Sequence, residues 1–75
     1  MLHGVVTSNP KVMHGTPCFA GTRVPVKSLF DHFEAGYNLD YFLSQFSTVG
    51  RDQALAVLKA AKHRTEADAL AQSAK

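Results

Sequence analysis

The residues of this chain whose types could bind a metal or attack a substrate are His3, His14, His32, His63 and Cys18. A structural zinc site takes its ligands in close pairs, Cys-x2–4-Cys or His-x3–5-His. No two such pairs are present: His14 and Cys18 stand alone across Gly15–Pro17, and the remaining histidines are scattered. The histidines therefore read as exposed or internally satisfied, and no metal is expected. Cys18 would need a base beside it to act as a nucleophile. Between Pro17 and Phe19 it reads instead as a small strand residue. Gly15 and Gly21 are too far apart for a phosphate-cradling loop, and Gly21-Thr22-Arg23 lacks the lysine of one. No catalytic constellation emerges, so neither an enzyme nor a cofactor is expected.

The basic residues say more. From Arg51 to Arg64 the chain carries Arg51, Lys59, Lys62 and Arg64 with His63, and Asp52 is the only acid in that span. Such a row reads in two ways. It is a solvated helix face, favoured because cations near a helix C-terminus meet the negative end of its dipole. Alternatively it is an electrostatic footprint for nucleic acid. In the second reading Arg51 and Gln53 reach base edges, since Arg bonds guanine bidentately and Gln bonds adenine. Lys59, Lys62 and Arg64, further along, then meet phosphate.

The elements that must position these residues follow from periodicity. Val26, Leu29, Phe30, Phe33 and Tyr37 recur at helical spacing, which predicts a helix over Val26–Ala35 with Gly36 as its left-handed cap. Asn38 is a good N-cap for a second helix carrying Leu39, Phe42, Leu43 and Phe46. Ser47–Gly50 breaks that pattern. A third helix begins near Gly50, with Asp52 and Gln53 in its first turn and a stripe of Ala54, Val57, Leu58 and Ala61. The stripe aromatics Phe30, Phe33, Phe42 and Phe46 are expected in the core. A short helix, a tight turn and a following helix have helix-turn-helix proportions. Upstream, Val5–Thr7, Lys11–His14 and the pieces Met13–Phe19 and Phe19–Val24 read as short extended segments separated by turns. Gly15 and Gly21 supply positive φ, and Pro25 is expected in the first turn of a helix. So small a sheet cannot stand alone and must pack on helices or on a second copy of the chain.

The expected fold is mainly α, in a single domain over residues 1–75. A short N-terminal β hairpin or arm (1–25) precedes a three-helix bundle containing the helix-turn-helix (26–64) and a C-terminal tail (65–75). A chain of this length buries only about 60% of its unfolded surface, so its core is marginal and association would help it. It is 45% hydrophobic and 19% charged, which fits a globular domain. The formal net charge, +2, is mild. No apolar run approaches the roughly 20 residues of a membrane helix, and no secretory signal is visible. One cysteine suits a reducing compartment, and a cytoplasmic location is expected.

The run His14-Gly15-Thr16-Pro17-Cys18-Phe19-Ala20-Gly21-Thr22-Arg23-Val24-Pro25-Val26 closely resembles the signature of a small bacterial family, domain of unknown function 433. That signature is approximately Gly-x-Pro, an apolar pair, then Gly-Thr-Arg-Ile/Val-Pro-Val. Gly36 and Tyr37, and Ala54 with Leu58, extend the resemblance from about Val6 to Ala61. Two departures stand out: Asp40 is followed by Tyr41 where the family is usually acidic, and Gly50 stands where it usually has Thr or Ser. Members look like antitoxins of type II toxin–antitoxin operons with a homeodomain-like trihelical core. The resemblance implies a nuclease-type toxin partner, often PIN-like, and a homodimer that binds its own promoter and represses the operon. In that picture Arg51, Gln53, Lys59, Lys62 and Arg64 contact operator DNA, and the tail, with Thr65, Glu66, Asp68, Leu70 and Lys75, orders against the toxin. Gly15, Gly21, Thr22, Arg23 and Pro25 form the structural turn, with Arg23 expected to clamp it to the bundle. The alternative is a protein-interaction module that neutralises a partner without touching DNA.

Overall fold

Val6 and Thr7 (β1) pair antiparallel with Cys18 and Phe19 (β2), in the register Val6 with Phe19 and Thr7 with Cys18. The computed structural model containing this hairpin describes residues 4–73. Its tip departs from the expected extended run over Lys11–His14. Asn9 Oδ1 accepts from the Lys11 N–H at 2.9 Å, and Val12 bonds back to Asn9, so the chain turns early. Met13–Gly15 is then a tight 3-10 turn in which Met13, His14 and Gly15 all have positive φ (53°, 55° and 84°). The Ser8 hydroxyl closes it by donating to the Gly15 carbonyl.

After β2 the chain reverses at once. Thr22 N–H bonds the Phe19 carbonyl at 3.0 Å around Gly21, whose φ of 77° suits the third position of a type II turn. The returning strand lies against β2: Phe19 N–H donates to Val24 (3.0 Å) and Val26 N–H to Pro17 (2.9 Å), flanking a bridge between Cys18 and Pro25. Pro25 is thus the last extended residue and not the first helical one. The ladder bond from Val26 holds the chain extended up to that point.

Helix α1 spans Lys27–Glu34. Its end has the Schellman pattern, with Gly36 N–H on Phe33 (3.0 Å) and Tyr37 N–H on His32 (2.9 Å), and Gly36 at φ 91°. Helix α2 spans Leu39–Gln45, capped by Asn38 Oδ1 accepting from Tyr41 N–H at 2.9 Å. Helix α3 runs Arg51–Ser73, so most of the expected tail continues the helix.

Phe19, Leu29 and Phe42 are fully buried, and Val49, Ala54 and Val57 complete one core. Of the four expected core phenylalanines only Phe42 is fully inside; Phe30, Phe33 and Phe46 pack partly buried around it. The centre is taken by Phe19, from the hairpin, with its ring 6.1 Å from that of Phe42. The apolar stripe of α3 stops at Ala61. The next positions on that side are Arg64, Thr65 and Asp68, which have no reason to leave water. Every residue from Lys62 to Leu70 is exposed, and the helix projects from the body. Among the described residues no helix is long and apolar enough to cross a membrane.

Candidate partner-binding surface of the third helix

The start of α3 is fastened to the rest of the protein from two directions. Gln53 Oε1 accepts from the Gly50 N–H at 2.9 Å, the side-chain half of a capping box, which satisfies one of the free donors at the helix end. Its Nε2 donates to the Ala20 carbonyl at 3.1 Å, tying α3 to the hairpin turn. Arg51 forms an ion pair with Asp40 on α2. The two expected base-reading side chains therefore both have intramolecular partners. Gln53, half-buried, holds the fold with both ends of its carboxamide. Arg51 stays more than half exposed (55%), and its pairing to an acid at the surface is worth little energy.

Lys59, Lys62 and Arg64 are exposed, as are Thr65, Glu66, Asp68 and Leu70. The spacing places them on different sides of the helix. Lys59, Lys62, Glu66 and Leu70 follow one another at three or four residues and share a stripe with Arg51 and Leu55; Arg64, Thr65 and Asp68 continue the opposite, body-facing side. Thr65 is turned onto its own helix, its hydroxyl donating to the Ala61 carbonyl at 2.8 Å. Lys75, expected to contact a partner, lies outside the described residues, as does His3. Two leucines on the stripe, Leu55 (47% exposed) and Leu70 (72%), have no intramolecular reason to be apolar.

In the structural turn Thr22, and not Arg23, makes the side-chain bonds, which close the turn on itself; the tie from turn to bundle comes from Gln53. The Thr22 hydroxyl donates to the Phe19 carbonyl at 2.8 Å and accepts from Val24 N–H at 3.0 Å. Arg23 is exposed, and none of the described residues bonds its guanidinium. A short hydroxyl reaches the backbone of its own turn, whereas a long cationic side chain gains more from water.

Cys18 is 2% exposed and its thiol donates to the Thr16 carbonyl at 3.3 Å. The cleft beside it, about 310 Å³, is lined by Thr7, Asn9, Val12, Gly21 and Thr22, none of them a base. Among the described residues no three His, Cys, Asp or Glu side chains gather as a metal site. His32 sits inside an aromatic cluster that residue types did not single out. Its Nδ1 donates to the Ser28 carbonyl at 2.8 Å, and its ring lies edge-on to Phe42 and Phe46, at 5.3 and 5.5 Å. Outside it Tyr37 stacks on Tyr41 at 4.4 Å. Four-residue spacing of two tyrosines across a helix cap was the available signal. On α1 the Asp31 carboxylate bonds Lys27 at 2.6 Å and pushes the Lys27 pKa above its usual 10.5; this exposed pair lies away from α3.

No curated protein and no solved structure matches the chain. A family model described as protein of unknown function (DUF433) matches residues 6–60, from β1 through the packed part of α3 and no further. That span is well over half of the sequence, and the chain belongs to this family.

Proposed function

We propose that this chain is a cytoplasmic antitoxin of the type II kind, which binds a PIN-like nuclease toxin through the projecting part of α3 and represses its own operon as a dimer. The observation that carries the reading is the exposure of every residue from Lys62 to Leu70. A helical segment of that length is marginal in water on its own and is most useful when a partner completes it. Thr65, Glu66, Asp68 and Leu70 supply a mixed polar and apolar surface to such a partner, and Arg64 supplies a cation for the carboxylates of a nuclease metal site. Operator contact falls to Lys59, Lys62 and Arg64 on phosphates, with Arg51 as base reader once it leaves Asp40. Gln53 is withdrawn from base reading because the fold uses it.

The second reading, a protein-binding module with no DNA contact, is favoured by the same two side chains: Gln53 is committed to Gly50 and Ala20, and Arg51 to Asp40. Titrating the protein against its own upstream DNA and a scrambled duplex, over a salt series, separates the two. Three phosphate-directed cations on each of two protomers give a salt slope of about −5 in log–log form. A preference for the upstream duplex that survives raised salt, and is lost in Arg51→Ala, supports the repressor. Equal binding to both duplexes, or none, leaves the protein-binding module.

A further inference from the structure

The outer stripe of α3 is self-complementary when read in opposite directions. Leu55, Lys59, Lys62, Glu66 and Leu70 follow one another at steps of three or four residues, so they lie along one side, and all five are exposed. About the midpoint between Lys62 and His63 the stripe has a mirror pattern. Leu55 and Leu70 are equally far from that midpoint, and Lys59 and Glu66 are too. Basic residues crowd its N-terminal half, and Glu66 and Asp68 follow in the C-terminal half.

We propose that two copies of this chain pair through this stripe, α3 against α3 in antiparallel register. Leu70 of each projecting arm then covers Leu55 on the body-side part of the other helix, and Lys59 of each faces Glu66 of the other. This pair is the free form of the chain and not the operator-bound dimer of the proposed function: its seam takes up Lys59, Glu66 and Leu70, which that reading gives to operator and toxin, and it requires neither. Charge complementarity selects the second copy and its direction: a parallel pair would set Lys59 and Lys62 against their own copies, whereas the antiparallel pair gives each Lys59 an acid and opposes the helix dipoles. Only Lys62, near the two-fold axis, faces like charge, and a lysine there keeps its ammonium in water while its stem lies along the seam. The body side of α3 is taken by the core through Ala54 and Val57, so the outer side is the one left for a partner. The seam uses Glu66 and Leu70 and leaves Arg64, Thr65 and Asp68 on the far side of the arm. Self-pairing and phosphate contact compete for Lys59.

The test is sedimentation equilibrium of the full chain without DNA or toxin, together with a crosslinking pair. The wild type should show a concentration-dependent monomer–dimer equilibrium that weakens with salt. Lys59→Glu and Glu66→Lys should each raise the dimer dissociation constant about tenfold or more, and the double exchange should restore it. Mixed under oxidising conditions, Leu55→Cys and Leu70→Cys should give the mixed disulfide in preference to either self-disulfide; native Cys18 does not compete because it is buried. Circular dichroism confirms that each variant folds. A monomer at all concentrations, a dimer indifferent to the charge exchanges, or preferential Leu55→Cys self-crosslinking would each overturn the proposal. Loss of toxin or operator binding with an intact dimer would instead strike only the proposed function.

Discussion

Gln53 shows how one side chain can fill its expected capping role and lose its expected base-reading role to a second structural bond. Its carboxamide joins the N-terminus of α3 to Gly50 and to a carbonyl 33 residues earlier in the chain. Gln53→Ala should therefore lower unfolding stability by about 1–2 kcal/mol in urea titration, since a cap bond and a half-buried bond are both lost. Gly50 adds a second test. Its φ is not left-handed, and a Cβ there would meet the Gln53 side chain, Oε1 at 3.5 Å and Cγ at 4.0 Å, both ordinary contacts. Gly50→Ser completes the reciprocal capping box and should gain a few tenths of a kcal/mol, read as a small rise in melting temperature. Gly21 behaves differently: nothing lies within 4 Å of an added Cβ, but φ is +77°. Gly21→Ala should cost about 1 kcal/mol, purely from backbone conformation, in the same urea titration.

At the scale of elements, α3 has two parts with different supports. Up to Ala61 it packs on Phe19, Leu29 and Phe42 through Ala54 and Val57; from Lys62 to Leu70 it has only bonds within its own helix and solvent. In dilute, monomeric protein, amide hydrogens from Ala54 to Ala61 should exchange far more slowly than those beyond Lys62, because opening the arm breaks no tertiary contact. Truncation after Lys62 should accordingly leave the melting temperature of the body within a few degrees of the full chain, about the shift that a change below 1 kcal/mol produces. The same truncation should abolish binding to any partner that docks on the arm, measured by calorimetry. A body that unfolds on truncation would show that the arm carries tertiary contacts of its own.

For the whole molecule the decisive residue is Phe19. It brings a two-residue strand into the centre of a helical core, and with Leu29 and Phe42 it is among the largest fully buried side chains of the described residues. Phe19→Ala should cost about 3–5 kcal/mol. That is a large part of the stability available to so small a domain, so loss of cooperative melting is the expected result. The helical stripes, the Asn38 and Gly36 caps and the turn at Gly21 were legible in the chain because each is settled within four or so residues. Helical spacing depends on neighbours three and four apart, a cap on one turn, a type II turn on one glycine. The α3 stripe was legible as far as Ala61, but the bundle expected through residue 64 is packed only up to Ala61. The central position of Phe19, the Arg51–Asp40 pair and the 33-residue reach by which Gln53, in place of Arg23, ties the turn to the bundle were not. Local chemistry made Gln53 and Arg51 good base readers and Arg23 a good clamp. Only the docking of hairpin and α2 against α3 decided which of their donors found a protein partner first, because hydrogen bonds depend on distances that the order of residues along a chain does not specify.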